Sequence, residues 1–198
     1  YMHLGGPNAW TFLDGTPTTS VSSQQQILGN TLPTWYGGFN NTLKYKGFDL
    51  GVNFTFSGGN YIYNGSKAGL RDQRVWNNSV EVLNSWKQAG DVTDIPKAVY
   101  GDNISNGSSF LISENVEKGD FLRLQTATLG YRIPGSFGKT GITSMRVYVQ
   151  VNNAFILTKY TGVDPEISTN GDSNLGSGIE RNTIPQGRQF TAGLNLSF

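Results

Sequence analysis

From Phe48 to Gly58 the chain reads FDLGVNFTFSG, and apolar and polar residues alternate without a break. Leu50, Val52, Phe54 and Phe56 fall on one parity, and Asp49, Gly51, Asn53 and Thr55 on the other. Successive side chains of an extended strand point to opposite faces, so this period of two specifies a strand with one apolar and one polar face. The pattern recurs. Met145, Val147, Val149 and Val151 oppose Arg146, Tyr148, Gln150 and Asn152. Near the end, Phe190, Ala192, Leu194, Leu196 and Phe198 oppose Thr191, Gly193, Asn195 and Ser197. Such strands suit a half-buried soluble sheet, and they equally suit a wall with lipid outside and a watery lumen inside.

Strands are expected near 35–46, 48–58, 121–133, 142–155 and 187–198. The first two meet at Lys46-Gly47, a connection so short that the strands must be antiparallel neighbours. Trp35 and Tyr36 stand at one end of this hairpin and Tyr45 and Phe48 at the other, as two interfacial aromatic girdles would. Between Leu124 and Ala127 the parity slips, which predicts a bulge. The connections alternate between long and short, so 1–34, 59–120 and 157–186 fall on one side and the brief turns on the other. Outer-membrane barrels segregate their loops in this way, and a soluble sandwich has no reason to.

The long connections hold little regular pattern. Residues 1–34 read as turn and loop material. In Val75–Ala89, Trp76, Val80, Leu83 and Trp86 recur at helical spacing before Gly90, which predicts a short amphipathic helix. That stripe reads as packing of the helix on its own scaffold, with a sugar-stacking platform as the alternative. The carboxylate pairs Asp91/Asp94, Glu114/Glu117 and Asp164/Glu166 read as solvated loop acids, since nothing apolar brackets them to shift a pKa. The lone histidine, His3, builds neither a nucleophilic triad nor a metal set. Gly171–Gly178 lacks the lysine and the strand-to-helix setting of a phosphate loop. No catalytic residues, metal site or cofactor is expected.

Composition excludes further classes. Charged residues make up 15% of the chain against a globular norm of about 25%. The net charge is +1 and no basic run occurs, so nothing points to nucleic acid. Cysteine is absent, which removes disulfides and thiolate sites. Mean hydropathy is −0.34, and no stretch approaches the roughly 18 apolar residues of a membrane helix. The first residues show no basic-then-apolar leader. Five strands cannot close a barrel in a membrane, where about eight is the minimum. The chain is therefore expected to be the carboxy-terminal portion of a larger protein, or one piece of a cleaved one.

Several ordered blocks carry a family resemblance. The segment Leu28-Gly29-Asn30-Thr31-Leu32-Pro33-Thr34-Trp35-Tyr36-Gly37-Gly38-Phe39-Asn40-Asn41-Thr42, followed by Tyr45-Lys46-Gly47-Phe48-Asp49-Leu50, resembles a conserved block of the SusC/RagA family of TonB-dependent outer-membrane transporters. Phe121-Leu122-Arg123-Leu124, Thr128-Leu129-Gly130-Tyr131, Asn152-Asn153-Ala154-Phe155, Tyr160-Thr161-Gly162-Val163-Asp164-Pro165-Glu166 and Pro185-Gln186-Gly187-Arg188-Gln189-Phe190-Thr191 resemble later blocks in the same order. Thr31 stands where proline is usual, and Thr19–Gln26 replaces an acidic run, so no calcium site is carried over.

The resemblance implies an all-β fold: the carboxy-terminal strands of a large antiparallel transmembrane barrel, about 22 strands when complete. It further implies long external loops, one with a short helix, a periplasmic carboxy terminus, and a plug domain and amino-terminal extension absent from this chain. Activity would be import without covalent chemistry, most often of oligosaccharides, with oligopeptides as the alternative. Partners would be a SusD-like surface lipoprotein, TonB-ExbB-ExbD acting through the plug, the remaining barrel and outer-membrane lipid. Leu50, Val52, Phe54, Phe56, Met145, Val147, Val149, Val151, Leu194 and Leu196 would face lipid. Arg71, Arg74, Trp76 and Trp86 would be candidate lid or cargo contacts. Thr191, Gly193, Leu196 and Phe198 fit the carboxy-terminal pattern resembling that read by the outer-membrane assembly machinery. A reading of another class, a secreted β-sandwich that binds glycans, would bury the same aliphatic residues against a second sheet.

Overall fold

The computed structural model describes residues 27–74, 77–98, 112–135, 141–171 and 176–198, together with the backbone of three short strands nearer the amino end. Those are β1 (Met2–His3), β2 (Trp10–Thr11) and β3 (Pro17–Thr18), paired antiparallel in that order. Strands of two residues carry no alternation, so the sequence showed only loop there. The rest comprises β4 (Trp35–Tyr45), β5 (Phe48–Gly58), β6 (Tyr61–Asn64), α1 (Gly65–Leu70), β7 (Val116–Lys118), β8 (Phe121–Ile133), β9 (Ser144–Thr158), β10 (Ile179–Glu180) and β11 (Gln189–Ser197). The chain divides into two compact units. One holds Pro33–Gly59, Gly119–Lys159 and Pro185–Phe198; the other holds Tyr1–Leu32, Asn60–Lys118 and Tyr160–Ile184.

The first unit is a five-stranded antiparallel sheet in the order β11-β9-β8-β5-β4. Lys46 and Gly47, both at positive φ (45° and 88°), form the two-residue turn between β4 and β5, whose twist matches that of the flanking strands. The β8 ladder shifts register between Leu124 and Thr126, which is the parity slip seen in the sequence. Opposite it, Asn153 takes φ 51°, and β9 runs on to Thr158, three residues beyond the expected Phe155. Directly paired residues share a face, so each strand's alternation extends across the sheet. Leu43, Leu50, Leu129, Val149 and Ala192 form one apolar row, and Thr42, Gly51, Thr128, Gln150 and Thr191 form the adjacent polar one.

Glycine shapes the polar face at two places. Gly130 of β8 lies between Asp49 of β5 and Tyr148 of β9 in one row. The Arg146 side chain crosses over it and donates from Nε to Asp49 Oδ1 at 2.8 Å; a Cβ on Gly130 would sit 2.2 Å from the guanidinium. Gly193 of β11 likewise lies beneath the Tyr148 ring.

The second unit is built differently. Its sheet has the order β10-β6-β7, with β10 parallel to β6 and β7 antiparallel to it. Ile62, Ala68, Ile95, Ile112 and Tyr160 are buried here, whereas Phe121 is the buried large apolar residue of the five-stranded unit. The helix expected over Val75–Ala89 does not form among the described residues; Val75 and Trp76 lie outside them. Val80–Asn84 is a single 3-10 turn between extended Ser79 and Ser85. Asn78 donates its side-chain amide to the carbonyls of Leu70 and Asp72, diverting the chain from a helical path. The α-helix lies instead at Gly65–Leu70, started by Asn64, whose Oδ1 accepts from the Lys67 N–H at 2.9 Å. GSKAGL shows no apolar periodicity, so nothing in its spacing announces a helix.

Gly130→Val should displace Arg146 from Asp49 and lower stability by about 1–3 kcal/mol, the usual range for overpacking. A fall in the thermal unfolding midpoint of the purified protein checks it, and an unchanged midpoint refutes it.

Candidate functional site

The five-stranded sheet offers two chemically distinct surfaces. Among the residues expected to face lipid, Leu50, Val147, Val149, Leu194 and Leu196 are exposed, and Val52, Phe54, Phe56, Met145 and Val151 are half-buried. All ten share one face with exposed Phe39, Leu43, Leu129 and Phe155. The second sheet that a sandwich would need against this face is not present among the described residues. Aromatic rings gather towards its ends: Phe48 and Tyr131 are 4.5 Å apart at one, and Trp35 and Phe56 are 6.2 Å apart at the other.

The opposite face carries hydroxyls and amides that bond to one another across the strands. Thr128 Oγ1 donates to Gln150 Oε1 at 3.0 Å, and Gln150 Nε2 to Asn152 Oδ1 at 3.0 Å. Thr126 Oγ1 donates to the same Asn152 oxygen at 3.2 Å. This is a wall whose polar side chains are held in place by their neighbours. On β11, Thr191 and Gly193 lie on this face and Leu196 on the apolar one. Phe198 follows the strand and is 82% exposed.

In the second unit a buried polar core ties distant segments together. Glu180, fully buried, accepts from Ser66 Oγ at 2.9 Å, from the Thr183 hydroxyl at 2.9 Å and from Tyr160 Oη at 3.4 Å. Burial, reinforced by the Glu180 charge, pushes the Tyr160 phenol well up. Glu117 accepts from the Thr161 N–H at 2.8 Å, the Thr161 hydroxyl at 2.7 Å and Lys67 Nζ at 3.1 Å. Burial opposes its charge, but these donors together hold the carboxyl below the usual range. Glu114, by contrast, is pushed up by burial, an effect that Arg71 only partly offsets. Glu114, Glu117 and Asp164 are thus not the solvated acids expected from the sequence, because the fold encloses them. Asp91 and Asp94 do stand exposed.

Arg71 is buried and joins four stretches of the 59–120 connection. It pairs with Glu81 at 2.9 Å, with Asp94 at 3.2 Å and with Glu114. Arg74, more exposed, pairs with Asp72 at 2.6 Å. Trp86 is half-buried, with Lys97 Nζ 5.9 Å from its ring centroid. Trp76 lies outside the described residues, as do 172–175 of the Gly171–Gly178 segment and the side chain of His3. The sequence could not reveal the Glu180 cluster, since Ser66 and Glu180 are 114 positions apart and no spacing links them.

No protein-family profile matches the chain. Whole-protein comparison does. It is 33% identical over 198 residues to TonB-dependent receptor P3 of Formosa agariphila, an alignment covering 98% of this chain and 19% of that receptor. It is 28% identical over 171 residues to TonB-dependent receptor SusC of Bacteroides thetaiotaomicron, covering 81% of this chain and 15% of SusC. Its backbone superposes on the RagAB peptide importer in its closed-closed state with a TM-score of 0.75 and 28% identity, over 96% of this chain and 20% of that one. The chain belongs to the SusC/RagA family of TonB-dependent outer-membrane transporters. It spans about a fifth of the length of the curated relatives it matches. Among its described residues no group of three or more His, Cys, Asp or Glu is placed to hold a metal.

Glu117 provides a pH test within the intact protein. Its folded pKa lies below the reference 4.5, so its stabilisation is present above that value and is lost as pH falls through the folded one. At pH 7, Glu117→Gln should weaken protection of the Thr161 amide against hydrogen exchange by roughly 1–2 kcal/mol. The difference from wild type should shrink as the pH is taken below 4.5. A difference independent of pH would contradict the assignment.

Proposed function

We propose that this chain forms part of the β-barrel wall of an outer-membrane active transporter that imports oligopeptides. The observation that carries the reading is the two-faced sheet, with an uncovered aliphatic surface on one side and a polar surface on the other. Lipid satisfies the first and a water-filled lumen the second. The outer edges of β4 and β11 then pair with strands from the rest of the protein, because an unpaired strand edge is not tolerated in hydrocarbon. The full barrel has about 22 strands around a plug, and this chain supplies its carboxy-terminal strands. Peptide cargo is favoured over the oligosaccharide expected from the family alone, since the backbone matches the RagAB peptide importer at a TM-score of 0.75.

In this arrangement Leu50, Val52, Phe54, Phe56, Met145, Val147, Val149, Val151, Leu194 and Leu196 face lipid. The connections 59–120 and 157–186 are extracellular and meet a SusD-like lipoprotein, and the carboxy terminus is periplasmic. Arg74, Trp76 and Trp86 serve as lid or cargo contacts, while Arg71, occupied by three carboxylates, positions the segments around it. TonB-ExbB-ExbD supplies energy through the plug region. Thr191, Gly193, Leu196 and Phe198 act as the assembly signal.

Uptake of labelled oligopeptides should fall on deletion of the full-length protein or of TonB. Loss of oligosaccharide uptake alone would overturn the cargo, and uptake indifferent to TonB would overturn active transport. Recovery of native protein from washed membranes without detergent would sink the barrel reading. Phe198→Asp should reduce the outer-membrane level of the full-length protein several-fold on immunoblots; an unchanged level removes the signal role.

A further inference from the structure

Three stretches that are far apart in the sequence meet on one short piece of chain, β6 and α1. β7 pairs with β6 through Tyr61 with Lys118 and Tyr63 with Val116. β10 pairs with it too, and the Tyr63 N–H donates to the Gly178 carbonyl at 2.8 Å. The stretch that precedes the large sheet also reaches this strand: the Tyr61 N–H donates to the Asn30 carbonyl at 2.8 Å, and Gly29 lies against the Tyr61 ring. Gly178, at φ 79°, is pressed on Thr31, where a Cβ would stand 2.8 Å from the Thr31 side chain.

The helix extends this junction with side chains. Ser66 Oγ donates to Glu180 Oε1 and accepts from the Asn182 N–H at 2.7 Å, so one hydroxyl bridges 114 and 116 positions. Asn64, almost wholly buried, caps α1 with Oδ1 and turns Nδ2 to Thr161 Oγ1 at 3.3 Å and Glu117 Oε1 at 3.4 Å. Lys67, on the first turn, pairs with the same Glu117. Glu117 is therefore held from α1 and from Thr161 at once, and Glu180 from α1 and from Tyr160. An enclosed carboxylate that loses one of several donors is left undercompensated, so opening either fastener alone is unfavourable. In return, a helix of six residues is too short to hold its shape without such contacts.

We propose that β6 and α1 couple the stretches 28–31, 112–118 and 160–184 into one cooperative unit, so that they open and close together and whatever orders one orders the others. Local opening runs through contiguous cooperative blocks, and here the block is assembled from three separate connections. The coupling rests on contacts among these stretches and holds whichever cargo the transporter takes. It is also reciprocal, so loosening one stretch by substitution reports on what ordering it would do.

Amide hydrogen exchange of the full-length protein in detergent micelles, read by mass spectrometry, tests it. In the wild type the amides of Tyr61, Arg71, Asn115 and Thr169, each bonded to a backbone carbonyl, should share one opening constant. Thr161→Ala takes a hydroxyl from Glu117 at an exposed position and should speed exchange at Tyr61 and Arg71, in another connection, about tenfold. Thr161→Ser keeps the hydroxyl and should restore the wild-type rates. Ser66→Ala should speed exchange at Thr169 and Tyr61 to a similar degree, while β8 and β9 keep their wild-type exchange. Unequal opening constants in the wild type, or acceleration confined to the connection that bears the substitution, overturns the proposal. Equal acceleration in β8 and β9 also overturns it, because the change would then be global unfolding and not the opening of a separate unit.

Discussion

Register is the constraint on which the large sheet depends. A strand that slips by one residue exchanges its two faces, so each row of the ladder must keep aliphatic with aliphatic and polar with polar. The five strands keep the two faces apart over most of their length, with Asn41 beside Val52 on the apolar face and Phe121 beside Ser57 on the polar one as exceptions, and the β8 irregularity near Gln125 is met by the left-handed Asn153 of β9. The result is a surface whose Leu and Val side chains are shaped for an apolar medium. Burying one such side chain is worth about 1.5–3 kcal/mol, and the described residues leave Leu50, Val147, Val149 and Leu194 exposed. In the proposed barrel the lipid supplies that cover, and the remaining strands supply the missing edge partners.

The unit built from 60–118 and 160–184 solves another problem. Its connections carry many polar backbone groups and few large apolar residues, so its interior relies on charge-assisted hydrogen bonds. Glu180, Glu117 and Arg71 each gather donors or acceptors from separate stretches. A carboxylate buried with several donors holds those stretches in one arrangement, and losing a partner leaves charge stranded in a low dielectric. These connections therefore have a fixed polar framework.

The strands were legible because alternation is local: Leu50 and Val52 declare their face without reference to any other strand. The helix expected around Trp86 failed because its spacing reports periodicity and not competition from Asn78 and Ser79, whose neighbours favour a turn. Asn64 as the true helix cap was illegible, because a single Asn before Gly-Ser-Lys is common in loops. The acids at Glu114 and Glu117 were misread for a related reason. Burial is decided by segments far away in the chain, such as Thr161, 44 positions from Glu117.

The sequence by itself determined the two-faced strands, the tight turn at Lys46-Gly47 and the family, since each is written in spacing or in contiguous blocks. The tertiary structure alone decided strand order, the passage of Arg146 over Gly130 to Asp49, and the parallel pairing of β10 with β6 that brings Glu180 to Ser66. The physical reason is range. A backbone period acts between neighbours, whereas an ion pair or a buried hydrogen bond exists only after the chain has closed loops of tens of residues.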